Sequence, residues 1–64
     1  MKVIAYQFSD DTNDMLIVDL RNNTVERQDD EGTILWRELF INGQKLAEYV
    51  EREIQSGVLY GSIM

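Results

Sequence analysis

The sequence predicts an α+β domain. Its expected form is a small antiparallel β-meander of three strands, with a fourth as the rival reading, followed by a kinked helix or two consecutive helices packed on the sheet. Three observations carry this. Residues 3–28 hold short branched and aromatic runs separated by polar clusters. Residues 35–54 repeat apolar positions at intervals of three and four. Ser56-Gly57 offers a helix stop.

The first strand is expected at Val3–Phe8, with Ile4, Tyr6 and Phe8 on one face. Ser9-Asp10-Asp11-Thr12-Asn13-Asp14 interrupts it as a polar loop. Met15 to Leu20 follows as a second strand with apolar residues on both faces, which suits a central position. Asn22-Asn23 reads as a two-residue hairpin turn, because Asn tolerates positive φ. That register sets Arg21 opposite Thr24, Asp19 opposite Glu26 and Val18 opposite Arg27. The like-charged Asp19–Glu26 pair is a local objection to it. Thr24 to Gln28 is expected as a charged, exposed edge strand.

In the second half, Trp36, Leu39, Phe40, Gly43, Ala47, Val50 and Ile54 form a stripe at helical spacing, widened by Leu35, Leu46 and Tyr49. The pattern predicts helix over 31–41 and again over 43–56, with Asn42 as cap of the second. The rival reading makes Thr33 to Ile41 a fourth strand. Asp29, Asp30 and Glu31 are expected at the helix start. Glu48 and Arg52, four apart, are expected as an exposed ion pair. The apolar tail from Val58 is expected to return as a short strand or to cover the sheet edge.

Sixty-four residues make one small acidic domain, 1–64. Domains of this size bury only roughly 60% of the surface of the unfolded chain, and oligomerisation is a usual reinforcement. A twofold dimer through the apolar stripe is therefore expected. Asp plus Glu outnumber Lys plus Arg by twelve to six, for a net charge of −6. That argues against direct nucleic-acid binding and against an anionic membrane surface. No apolar run approaches a membrane span, and the start does not read as a signal peptide; the chain is expected to be cytoplasmic.

There is no His and no Cys. A Ser-His-Asp triad, a thiol nucleophile and most transition-metal sites are thereby removed. Counted from Asp10, the glycine and glutamate positions of a calcium loop fall on Met15 and Arg21, so that motif fails. No catalytic residue, metal site or cofactor is expected. The chain reads as a non-enzymatic component that binds or regulates a protein partner. Trp36, Phe40, Tyr49 and Tyr60 are the candidate interface, since aromatics combine area with a polar edge. A core role competes for Trp36 and Phe40, and a structural domain without a separable ligand site competes for the whole. The rival functional class is an acidic mimic of nucleic acid. It would use Asp10, Asp11, Asp14, Asp29, Asp30 and Glu31 as a phosphate-like row, provided the two loops share one side of the sheet.

Overall fold

The computed structural model describes residues 3–62; Met1, Lys2, Ile63 and Met64, including the end of the apolar tail, lie outside the described residues. The order is β1 (Val3–Phe8), β2 (Met15–Asp19), β3 (Thr24–Gln28), β4 (Ile34–Leu39), α1 (Gly43–Gln55) and β5 (Leu59–Ser62). The five strands form one antiparallel sheet in the order β4-β3-β2-β1-β5. The α+β class is as expected, with more strands and one helix. Met15–Asp19 is the middle strand, which accounts for apolar residues on both of its faces.

The register sorts the side chains into two sets of rows. Ile4, Val18, Val25 and Glu38 lie side by side, as do Tyr6, Leu16, Arg27 and Trp36. These rows face α1. Val18, Val25 and Leu16 are fully covered there, joined by Phe8, Leu59 and, from the helix, Leu46 and Val50. The open face carries Ala5, Ile17, Glu26 and Arg37 in one row and Val3, Asp19, Thr24 and Leu39 in another.

The β2–β3 turn differs from the expected two-residue form. Asp19 pairs with Thr24, Val18 with Val25 and Ile17 with Glu26. Four residues, 20–23, make the turn, and Asn23 takes positive φ at 57°. The Asp19 carboxylate fixes this choice by accepting from the amides of Arg21 and Asn22, at 3.0 and 3.1 Å, and from Asn22 Nδ2 at 2.9 Å. The longer turn also removes the Asp19–Glu26 clash.

The larger correction is at residues 31–41, which are not helical. Residues 34–39 are the strand of the rival reading and pair with β3, so Thr24–Gln28 is an interior strand and not the edge. Local chemistry favours the hairpin. Asp29 Oδ1 accepts from the amides of Glu31 and Thr33, both at 2.9 Å, and Gly32 takes φ 86°. Asp29 therefore closes a β3–β4 turn and does not start a helix. The register shifts between Arg27 and Gln28, leaving Leu35 as an extra residue. A bulge of this kind breaks the alternation of period two. Ile34-Leu35-Trp36 followed by Leu39 then imitates helical spacing.

Helix α1 obeys its local signals. Asn42 Oδ1 accepts from the amide of Lys45 at 2.9 Å, which satisfies one orphan donor of the first turn. At the other end Gly57 takes φ 84°, its amide donates to Ile54 O at 3.1 Å, and that of Val58 donates to Glu53 O at 2.9 Å. Glu48 meets Lys45, Nζ to Oε1 at 3.8 Å, and not the expected Arg52. The apolar tail returns as β5 beside β1, with Phe8 opposite Leu59.

Candidate protein-binding edge

Strand β4 closes one side of the sheet, and all six of its residues are exposed. Ile34 is 48% exposed, Leu35 49%, Trp36 39% and Leu39 72%, and the neighbouring Ile41 reaches 86%. The cause is the position of the helix. Among helix residues only Leu46 and Val50 are buried, and the core lies over β1, β2, β3 and the start of β5 and does not reach β4. The row Tyr6–Leu16–Arg27–Trp36 therefore begins in the core and ends outside it.

Edge strands are ordinarily blunted by Lys, Pro, irregularity or short length. β4 has neither Lys nor Pro, and its charges are the single adjacent pair Arg37 and Glu38. Its one irregularity is the bulge at its N-terminal end. The opposite edge, β5, is a four-residue strand with a register shift against β1 and Gly61 at φ 61°. Two edges of one sheet are thus treated differently, and the longer, apolar one is left open among the described residues.

The four aromatic candidates do not converge on one patch. Trp36 lies on β4 and Tyr60, 55% exposed, on β5, at opposite edges of the sheet. Phe40 and Tyr49 meet, with ring centroids 5.2 Å apart and planes at 42°. Both are half-buried and pack against the core, so they anchor the chain between β4 and α1. Burial, then the charges of Glu53 and Glu38, push the Tyr49 hydroxyl up from its ordinary value.

The six acidic candidates lie in the β1–β2 and β3–β4 connections. In a meander these leave the same end of the sheet, so the topology brings both loops to one end. Two of the six are already engaged. Arg27 Nε donates to Asp14 Oδ2 at 2.8 Å, and Nη2 donates to Asp10 Oδ2 at 2.7 Å and Thr12 Oγ1 at 3.1 Å. The same guanidinium sits 3.8 Å from the Phe8 ring centroid. Asp10 also accepts from the Thr12 hydroxyl and from its amide. The Thr12 hydroxyl first, then Arg27, hold its carboxyl at about 2, below the ordinary 3.8.

Arg27 is the residue sequence reasoning missed. Alternation from Val25 places it on the core-facing side of a strand, where a guanidinium needs carboxylates. The nearest acidic loop one hairpin away supplies them.

An apolar groove of about 470 Å³ runs between α1 and the sheet, with Ile4, Leu20, Ala47 and Ile54 among its walls. A second hollow, of about 430 Å³, lies around Glu38, Phe40, Lys45 and Tyr49. Among the described residues, no helix is long and apolar enough to cross a membrane. Comparison with protein-family models, with curated proteins and with solved structures found no match.

Proposed function

We propose that this chain is a non-enzymatic protein-binding component that engages its partner along the free edge of β4. One observation carries the reading. A six-residue strand with four large apolar side chains is exposed along its length at an open sheet edge. The partner chemistry this edge fits is an extended segment. Main-chain hydrogen bonds would supply affinity, and alternating pockets for side chains would supply specificity. Trp36 is the expected anchor, since aromatics dominate the energetics of such contacts. Phe40 and Tyr49 support the edge from behind, whereas Tyr60 lies on the far edge and outside this surface.

The test is capture of partners with the wild-type chain and with Trp36→Lys. A specific partner retained by the first and lost by the second supports the reading. Equal capture by both, or capture that depends on Tyr60 alone, contradicts it.

The acidic-mimic reading has one observation of its own, the shared end of the two acidic loops. It predicts a basic nucleic-acid-binding partner that is released by salt and competed away by DNA or RNA. The clamp of Arg27 on Asp10 and Asp14 weakens it, because two of the six negative charges face an internal cation.

A further inference from the structure

We infer that Asn42-Gly43 is a site of spontaneous covalent modification, at which the Gly43 nitrogen closes on the Asn42 side-chain amide, ammonia is lost and an acidic residue takes over the cap of α1. The inference is independent of the β4 reading.

The reaction needs a nucleophile, an electrophile and access for solvent base, and the start of α1 brings the three together. The nucleophile is the Gly43 main-chain nitrogen. Gly43 is the first residue of α1, and amides of the first turn have no acceptor within the helix. It has no Cβ to shield that nitrogen. The electrophile is Asn42 Cγ. Its Oδ1 accepts from the Lys45 amide at 2.9 Å, and negative charge gathers on this same oxygen when the carbon is attacked. The positive end of the helix dipole favours that charge too, with no acidic side chain in the first turn to offset it. Asn42 and Gly43 are both exposed, so water and hydroxide reach them.

Asn42 stands at φ −159° and ψ 174°. Ring closure needs rotation about that ψ. The bond that must open for it is the one from the Leu46 amide to Asn42 O, at 3.2 Å, and helix ends fray readily. The step balances with water alone. Solvent base takes the Gly43 amide proton, the N–Cγ bond forms, and the Cγ–Nδ2 bond breaks as Nδ2 takes up a proton and leaves as ammonia. Water then opens the cyclic imide. Cleavage at Cγ gives aspartate. Cleavage at the main-chain carbonyl carbon of residue 42 gives isoaspartate, with the backbone rerouted through the side chain. Either product makes the chain one charge more negative than its present −6. Aspartate keeps an oxygen for the Lys45 amide and adds a carboxylate where the dipole favours one. Isoaspartate lengthens the main chain and takes the Asn42 carbonyl away from Leu46.

The other asparagines are internal controls. Asn13, Asn22 and Asn23 precede Asp14, Asn23 and Thr24, each of which has a Cβ. Asp14 is also buried, and Asn22 Nδ2 is held by Asp19 at 2.9 Å.

The test is incubation of the full chain at neutral and at mildly alkaline pH, followed by peptide mapping in a mass spectrometer. A synthetic peptide of residues 39–46, incubated alongside, sets the time scale. The expected result is replacement of NH by O at residue 42, ahead of residues 13, 22 and 23 and faster at the higher pH, with isoaspartate recognised by its fragment ions. Gly43→Ala should slow it at least about tenfold, because the added methyl group shields the nitrogen. That methyl has room, meeting Asn23 Oδ1 at 3.6 Å, and alanine suits a helix, so the fold is kept. Asn42→Asp reads the consequence, and its melting temperature should equal or exceed that of the wild type. An Asn42 still intact when the peptide is fully converted overturns the inference. So does earlier conversion at another asparagine, or a rate unchanged in Gly43→Ala. A lower melting temperature in Asn42→Asp overturns the claim that an acidic residue takes over the cap.

Discussion

Arg27 ties the β1–β2 loop to the core side of the sheet by binding Asp14, Asp10 and Thr12 at once over the Phe8 ring. Its side chain is 20% exposed and that of Asp14 11%, so the pair is partly desolvated. Removing one partner strands the other. Arg27→Ala is expected to lower stability by about 2–3 kcal/mol, read from urea unfolding. The Asp10 carboxyl adds a pH dependence. Its folded value of about 2 lies below the ordinary 3.8, so its contribution is present above that ordinary value. It is lost as pH falls through about 2. Asp19, held low first by Asn22, changes in the same direction. Melting temperature should fall on acidification across this range, and Asp10→Asn should show a smaller fall. A melting temperature that is flat from the ordinary carboxylate value down to about 2 would contradict the clamp.

At the scale of the elements, α1 covers β1, β2, β3 and the start of β5 through few residues. Leu46 and Val50 are its only buried side chains among the described residues. Leu46→Ala is expected to cost about 3 kcal/mol, a large share of the total stability of so small a domain. Asn42→Ala should cost about 1 kcal/mol through loss of the cap. Trp36→Lys on β4 should change stability by no more than about 1 kcal/mol, because that strand packs against little. The ordering of these three costs in denaturant midpoints checks where the core lies. The same contrast explains what was legible in the sequence. Asn42, Gly57 and the helical period over 43–56 are local signals, and α1 follows from them. β1 and β2 announce themselves by branched residues bounded by polar loops. β4 was ambiguous, because its apolar residues are exposed and obey no buried face, and the extra residue at Leu35 breaks the alternation. The longer β2–β3 turn depended on side-chain bonds from Asp19 that spacing alone does not reveal. Among the candidate residues, Trp36 was legible as a contact aromatic, but its place at an open edge depended on how far α1 reaches. Arg27 was hidden because its meaning lies in a neighbouring hairpin.

For the whole molecule, the sheet is asymmetric. One end gathers the acidic loops, one edge is short and irregular, and the other edge is apolar and open. Such an arrangement separates the acidic loops from the surface available for contact. Site-resolved amide hydrogen exchange reads directly whether the proposed partner edge is β4. In dilute chain, amides of 34–39 that do not bond to β3 should exchange fast while β2 and β3 stay protected. On addition of a captured partner, new protection should appear on 34–39 and nowhere comparable. Protection that instead appears on α1, on the acidic loops or on β5, with β4 unchanged, would contradict the account.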